Sequence, residues 1–322
     1  MAYNNVISRT DAAALIPEEV SAEIIKSVPE ASVVMQLGRR LQNMSRGQKR
    51  LPVMSALATA YFVSGDTGLK QTSEVDWESK YIDAEELAVI IPIPEAVLDD
   101  TDYDIWGEVK PSIIEAFGIA ADAAVLYGTN IPASWTTNLG SAGLVAGAVA
   151  ASQTVDYSTQ VAAGDDLYTM LLDEGGVWNL VEEDGFLVDG SVAAIVMKAR
   201  LRGVRSSDGQ LIFNRSMSEK TTYELDGAPV YFPANGAVDA ATSLLIAGAW
   251  KQLVYSIRKD VTYKVLTEAV IQDASGNIIY NLAQQDMVAL RCVFRLGFAL
   301  PNPINRMQET AASRYPFAVL VP

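Results

Sequence analysis

Between residues 50 and 94 the chain carries two β-patterned runs joined by a turn, and nothing else in the sequence constrains its fold more. Leu51, Val53, Tyr61 and Val63 open the first run. Ser64-Gly65-Asp66-Thr67-Gly68 reads as a turn. On the return, Val75, Trp77, Tyr81, Leu87, Val89, Ile91 and Ile93 fall on one parity, the period of a strand with one apolar face. A two-stranded ribbon of this length cannot bury both faces against its own tip and is marginal in isolation. It needs a partner, either its own domain or another chain.

The strongest helical signal follows, from Asp99 to Gly128. Thr101-x-x-Asp104 resembles a capping box, and Ile105, Val109, Ile113 and Phe117 form an apolar line that Ala120, Ala121 and Ala124 continue with small side chains. Gly128 closes the run as a C-terminal glycine. At 1.5 Å per residue such a helix is a rod of about 35 Å. Pro111 predicts either a kink or a break within it.

The remaining segments read as a mixture of helix and strand. Residues 1–16 form a loose arm, Pro17-Glu18-Glu19 opens a helix that ends before Pro29, and a second short helix spans Ala31–Leu41. Residues 129–160 are rich in Gly, Ala, Ser and Thr and predict loops, short elements and a domain boundary. Asp165–Leu180 reads as a helix, Ser191–Arg202 as strand then helix, Leu225–Tyr231 as turn then strand, and Ser243–Ala249 as a short buried strand. In the last third, Tyr255, Ile257, Val261, Tyr263 and Val265 alternate with polar residues. Val288, Leu290, Cys292, Phe294, Leu296, Phe298 and Leu300 do likewise, and Asp273–Asn277 supplies a turn between the two runs. The fold class is α+β.

Charge and residue usage exclude several chemistries. The formal net charge is -15, from 24 Lys+Arg against 39 Asp+Glu, so a global field would repel nucleic acid. The 322 residues include no histidine, which removes Ser-His-Asp and Cys-His catalysis and every His-ligated metal site. Cys292 is the only cysteine, so no intrachain disulfide forms, and its place in an apolar strand predicts a buried, inert thiol. No phosphate-binding loop, dinucleotide fingerprint or nucleophile elbow is present. The N-terminus lacks the pattern of a signal peptide, and the longest uncharged stretch, Ala123–Val155, is too polar and broken for a membrane helix. The expectation is a soluble protein, intracellular where it is made.

Two charge clusters stand out. Glu95, Asp99, Asp100, Asp102, Asp104 and Glu108 contain no base among them. They lack the glycine of a calcium-binding EF-hand and read as acids favoured at a helix N-terminus. Conversely, Ala31 to Gly65 holds Arg39, Arg40, Arg46, Lys49 and Arg50 with no acid. That is either a solvated basic stretch or an arm that lies on an acidic surface of a neighbouring subunit. Lys198, Arg200, Arg202 and Arg205 form a further basic patch, read as a subunit contact or solvated face.

The order of these features resembles the major capsid proteins of tailed bacteriophages with the Hong Kong 97-type fold, from about Leu15 to Pro303. Leu15-Ile16-Pro17-Glu18 with Ala31-Ser32-Val33-Val34 is similar to the family's N-terminal arm. Ala60-Tyr61-Phe62-Val63-Ser64-Gly65-Asp66 resembles the segment entering its extended loop, with the usual Trp and Glu replaced. Ile91-Pro92-Ile93-Pro94-Glu95-Ala96-Val97-Leu98-Asp99-Asp100 resembles the lead into its spine helix, and Asp122-Ala123-Ala124-Val125-Leu126-Tyr127-Gly128 that helix's end. Gly248-Ala249-Trp250 to Ile257-Arg258, and Gln285-Asp286-Met287-Val288-Ala289-Leu290-Arg291, resemble its late strands.

This resemblance implies an N-terminal arm over 1–49, an extended loop over 50–94 and a C-terminal segment over 304–322. A peripheral domain would come from 95–135 and 250–303, including the spine helix, and an axial domain from 136–249. It implies a non-enzymatic subunit without cofactor or metal, forming pentamers and hexamers that close an icosahedral shell around double-stranded DNA. Portal, scaffold or decoration proteins are the further partners, with no membrane. Arg39, Arg40, Arg46, Lys49, Arg50, Asp66, Lys70, Trp77, Asp99, Asp102, Asp104 and Glu108 are then expected at subunit interfaces. Some relatives join an extended-loop lysine to another subunit's asparagine; Lys70 and Asn277 are the candidates here. An encapsulin-type compartment is similar in fold and stays open as an alternative. So do a carboxylate-dependent hydrolase, although no acid pair is singled out, and a surface-layer protein, against which the missing export signal argues.

Overall fold

A computed structural model describes residues 32–63, 68–96, 105–204, 223–273 and 275–322. The chain passes through α1 (Val33–Leu37) and β1 (Arg39–Arg40), forms β2 (Gln48–Ala56) and β3 (Asp76–Asp83), continues into β4 (Glu85–Pro94) and then into the long α2 (Ile105–Tyr127). Next come α3 (Ala133–Leu139), α4 (Leu144–Ala150), β5 (Thr154–Asp156), α5 (Tyr157–Ala163), α6 (Leu167–Leu172) and α7 (Val177–Glu183). β6 (Gly190–Ala193), α8 (Met197–Gly203), β7 (Glu224–Leu225), β8 (Ala228–Tyr231) and β9 (Leu245–Gly248) follow. The chain then returns through β10 (Val254–Leu266), β11 (Val270–Gln272), β12 (Ile278–Asn281), β13 (Met287–Ala299) and β14 (Phe317–Val321).

One layer is a sheet in the order β1-β10-β13-β4. β13 is antiparallel to both neighbours, with Tyr255 opposite Phe298 and Val288 opposite Ile93. Leu290, Cys292, Phe294, Leu296 and Phe298 enter one buried cluster as their parity predicts, but Ala289, Val293 and Ala299 between them are buried too, so the strand is covered on both faces over most of its length. Ile113, Phe117, Ala121, Ala124 and Val125 of α2 join that cluster. The small alanines let the helix lie close to the sheet, and Phe117 stacks on Phe294 with ring centroids 6.4 Å apart. The helix runs unbroken past Pro111. The missing hydrogen bond there is outweighed by the packing of the helix on the sheet.

The second layer is a sheet in the order β5-β14-β9-β6-β8-β7. Its central strands do not alternate, because both faces are covered. Val192, Ile246, Phe317 and Val319 join the cluster beneath α2. Ala193, Leu245, Ala247, Ala318 and Leu320 join a second cluster with Leu171 of α6, Trp178 of α7 and Met197 of α8. The first cluster therefore spans both layers, and the edge-to-face pair of Trp250 and Phe317, 5.1 Å apart, lies within it.

Several elements differ from the sequence reading. The long excursion over 50–94 is two structures: β3 pairs with β2, whereas β4 leaves the hairpin and pairs with β13. Residues 48 and 49, read as the end of the arm, already belong to β2. The C-terminal segment supplies β14, which lies between β5 and β9 in the second sheet. The helix over Asp165–Leu180 is split into α6 and α7 by the turn at Asp173–Gly176. Gly175 there has φ +80, a conformation that only glycine adopts readily. The short helix at Ala31–Leu41 is confined to α1, capped by Ser32. The region 129–160 agrees with its reading as loops and short elements: α3 and α4 are seven residues each, with Trp135 and Leu144 in the core. The helix at Pro17–Val28 and the capping box at Thr101 lie outside the described residues.

Candidate assembly interface

The β2–β3 hairpin has two faces of opposite character. In its register Lys49, Leu51 and Val53 face Ile82, Lys80 and Glu78, while Arg50, Pro52 and Met54 face Tyr81, Ser79 and Trp77. Because side chains alternate with period two, these sets lie on opposite sides. The first set turns to the body. Ile82 is fully buried in a small cluster with Met44, Val254 and Ala299. Gly297 of β13 makes this approach possible, since a Cβ there would collide with the Asp83 carbonyl and the Ile82 side chain. Helix α3 clamps the hairpin base: Trp135 Nε1 donates to the Asp83 carbonyl at 3.1 Å and Asn138 Nδ2 to its carboxylate at 3.0 Å.

The second set turns to solvent. Trp77 is 63% exposed, Tyr81 40% and Met54 39%. Arg50 lies on the same face, its Nε donating to Ser79 Oγ at 2.7 Å. Beyond the paired strands Tyr61, Phe62, Val63 and Leu69 are also exposed. Thr59 N donates to Ser73 Oγ at 2.8 Å and links the two limbs there. An aromatic strand face open to water is a candidate interaction surface.

The segment before the hairpin is fastened to the body. Asp122, fully buried on α2, accepts hydrogen bonds from Ser32 Oγ at 2.5 Å, Val33 N at 3.0 Å and Val34 N at 3.1 Å. Burial raises its carboxyl to about 6, and these hydrogen bonds pull the other way. No other titratable residue lies between Glu115 and Tyr127, nor in α1, α3 or α4. The chain then follows β10: Arg39 N donates to Leu253 O, Leu41 N to Tyr255 O and Met44 N to Ile257 O, at 2.8–2.9 Å. Composition gave no sign of this anchor; its signal was a lone acid within the apolar second half of the helix.

The structure places the expected interface residues unevenly. Arg39 and Arg40 are exposed on β1, where Arg40 Nη2 reaches Asn43 Oδ1 at 3.2 Å. Arg46 is exposed before β2, and Lys49 Nζ donates to Gln42 O at 3.0 Å. Among the described residues none of Arg39, Arg40, Arg46, Lys49 and Arg50 pairs with a carboxylate. Trp77 and Lys70 are exposed on the hairpin and its extension. Asp66, Asp99, Asp102 and Asp104 lie outside the described residues, as does the side chain of Glu108. Asn277 stands on the separate β11–β12 hairpin, where its amide nitrogen donates to Asp273 Oδ2 at 3.0 Å.

Among the described residues no group of His, Cys, Asp or Glu could hold a metal ion. The Cys292 thiol is buried and pushed up to about 12 by desolvation, which keeps it protonated. No helix among the described residues is long and apolar enough to cross a membrane.

A long helix laid along an antiparallel sheet, a second sheet beside it and a projecting hairpin with one bare aromatic face together define a subunit built to associate. The chain belongs to the Phage capsid family, whose profile matches residues 12–305. It is 25% identical over 303 residues to the major capsid protein of Staphylococcus phage 80alpha, covering 93% of this chain and 86% of that one. Among solved structures it is similar to a chain of Microbacterium phage Oxtober96, with TM-score 0.75, 35% identity and coverage of 90% and 91%. It is also similar to a chain of Mycobacterium phage Adephagia, with TM-score 0.74, 29% identity and coverage of 98% of both. The fold is Hong Kong 97-like.

Proposed function

We propose that this chain is the major capsid protein of a tailed double-stranded DNA bacteriophage, a structural component of the virion that assembles through pentamers and hexamers into an icosahedral shell. The observation that carries this reading is the family match over 12–305 on a chain whose hairpin presents Trp77, Tyr81 and Met54 to solvent. In this reading β2–β3 is the extended loop and α2 the spine helix. The sheet around β13 is the peripheral domain and the sheet around β9 the axial domain. The exposed hairpin face covers a neighbouring copy. The five bases from Arg39 to Arg50, without carboxylate partners in their own chain among the described residues, meet acids of a neighbour, and portal, scaffold or decoration proteins complete the particle. The net charge of -15 keeps the shell from adhering to the packaged genome.

Negative-stain electron microscopy of the purified protein over a range of concentration and salt tests this reading. Rings of five or six, or closed shells, are expected. The double variant Arg39→Glu with Arg40→Glu should stay a folded monomer by circular dichroism and fail to form them. Normal shells from that variant would remove these arginines from the interface. A monomer at every condition, with and without the phage's scaffolding protein, would overturn the capsid reading.

A further inference from the structure

The segment between β13 and β14 lies against the far end of β2, and its attachments on the two sides are unequal. On the body side the loop runs on covalently into β13 and β14, is braced within itself by Arg314, and makes two bonds to Asp184, that of Tyr315 N buried. Arg314, only 4% exposed, donates from Nε to Asn302 Oδ1 at 3.2 Å and from Nη1 to the Gln308 and Glu309 carbonyls at 2.8 and 3.1 Å. Its Nη2 donates to the Asn302 carbonyl at 3.0 Å, and Asn302 Nδ2 donates back to the Arg314 carbonyl at 2.8 Å. Tyr315 N then donates to the Asp184 carboxylate at 2.7 Å, and Asn305 Nδ2 to the Asp184 carbonyl at 2.6 Å. On the hairpin side there are two bonds. Ile304 N reaches the Met54 carbonyl at 3.4 Å, and the exposed Arg306 donates from Nη2 to the Ala58 carbonyl at 2.5 Å. A cavity of about 340 Å³ lies between hairpin and body, lined by Val53, Lys80, Asn138, Ala151, Leu300 and Tyr315.

We propose that residues 302–314 form a releasable stop for the hairpin: a loop built rigidly on the body that holds the hairpin at one angle, above a space into which it can swing. Breaking a buried, multiply bonded group leaves desolvated donors and acceptors without partners, whereas an exposed bond exchanges with water at small net loss. The hairpin therefore leaves the loop before the loop leaves the body. These contacts lie within one chain and form whether or not the chain builds shells.

The test is a distance measurement by pulsed electron paramagnetic resonance on the full chain. Nitroxides are placed at Gln71→Cys and Glu174→Cys, both exposed, while the native Cys292 is too buried to label. Dilution with unlabelled chain removes distances between copies. The parent should give a narrow distribution, Arg306→Ala at least a twofold broader one, and Arg306→Lys, which keeps a donor for the Ala58 carbonyl, a width near the parent's. Equal widths in the parent and in Arg306→Ala, whether narrow or broad, would overturn the proposal.

Discussion

Strands β3 and β4 follow one another with Ala84 alone between them, yet they live in different surroundings. On β4, Leu87, Val89, Ile91 and Ile93 lie beneath α2 against β13. On β3, Trp77 and Tyr81 carry the same parity and face solvent, while Ile82, of the other parity, faces the body. The inward side of the chain thus changes at Asp83 and Ala84, where Ala84 N turns to bond the Gly47 carbonyl at 2.8 Å. Alternation reports that a strand has an apolar face; it does not report what covers that face. In β4 the cover is the chain's own helix. In β3 the face is open among the described residues, and the proposed cover is a neighbouring copy.

Substitutions on the two sides should therefore differ in kind. The largest effect on folding belongs to the sheet under α2. Phe294→Ala removes a ring stacked on Phe117 and should lower unfolding free energy by about 3–5 kcal/mol in urea titrations. A loss no larger than that of a surface substitution would mean the two regions are less distinct than described.

Asp122 sharpens the buried side through pH. Its folded-state carboxyl, at about 6, lies above the ordinary 3.8, so the folded chain holds the proton more tightly than the unfolded one. The resulting stabilisation is fully present below 3.8 and is lost as pH rises through about 6, a span on the order of 3 kcal/mol. Asp122→Asn abolishes this dependence. The stability of the parent minus that of the variant, read from urea titrations, should be more positive at pH 4.5 than at pH 7.5. A parent that loses stability relative to the variant on acidification would show that the carboxylate is not held in a desolvated site.

The smallest effect on folding is expected at Trp77. Trp77→Ala should shift monomer stability by less than about 0.5 kcal/mol, because the side chain touches little of its own chain. The same variant should fail to assemble, as judged by sedimentation velocity. Stability and assembly falling together would place Trp77 in the monomer's core instead.

Much of this was legible in the sequence, and the reasons are local. The alternation of β13 and the four-residue spacing of Ile113 and Phe117 dictate a sheet with a helix on it. The order of the arm, hairpin, helix and late strands carried the family. What escaped reading required knowledge of partners in space. Leu87 to Ile93 continue the parity of Trp77 and Tyr81 without interruption, so nothing local announced the change of sheet at Ala84. Phe317-Ala318-Val319-Leu320 is a short apolar run whose place between β5 and β9 depends on pairings far away in sequence. The partner of Asp122 is Ser32, ninety residues earlier, and only the fold brings the two together.

In an assembled particle the outer face of the hairpin should be covered by another copy. Hydroxyl-radical footprinting of assembled particles and of dissociated chain would measure this residue by residue. Trp77, Tyr81 and Met54 should be oxidised readily in the dissociated chain and several-fold more slowly in the particle, while the already buried Trp135 and Trp250 stay slow in both. Equal oxidation of Trp77, Tyr81 and Met54 in the two states would contradict the assignment of this face to the interface.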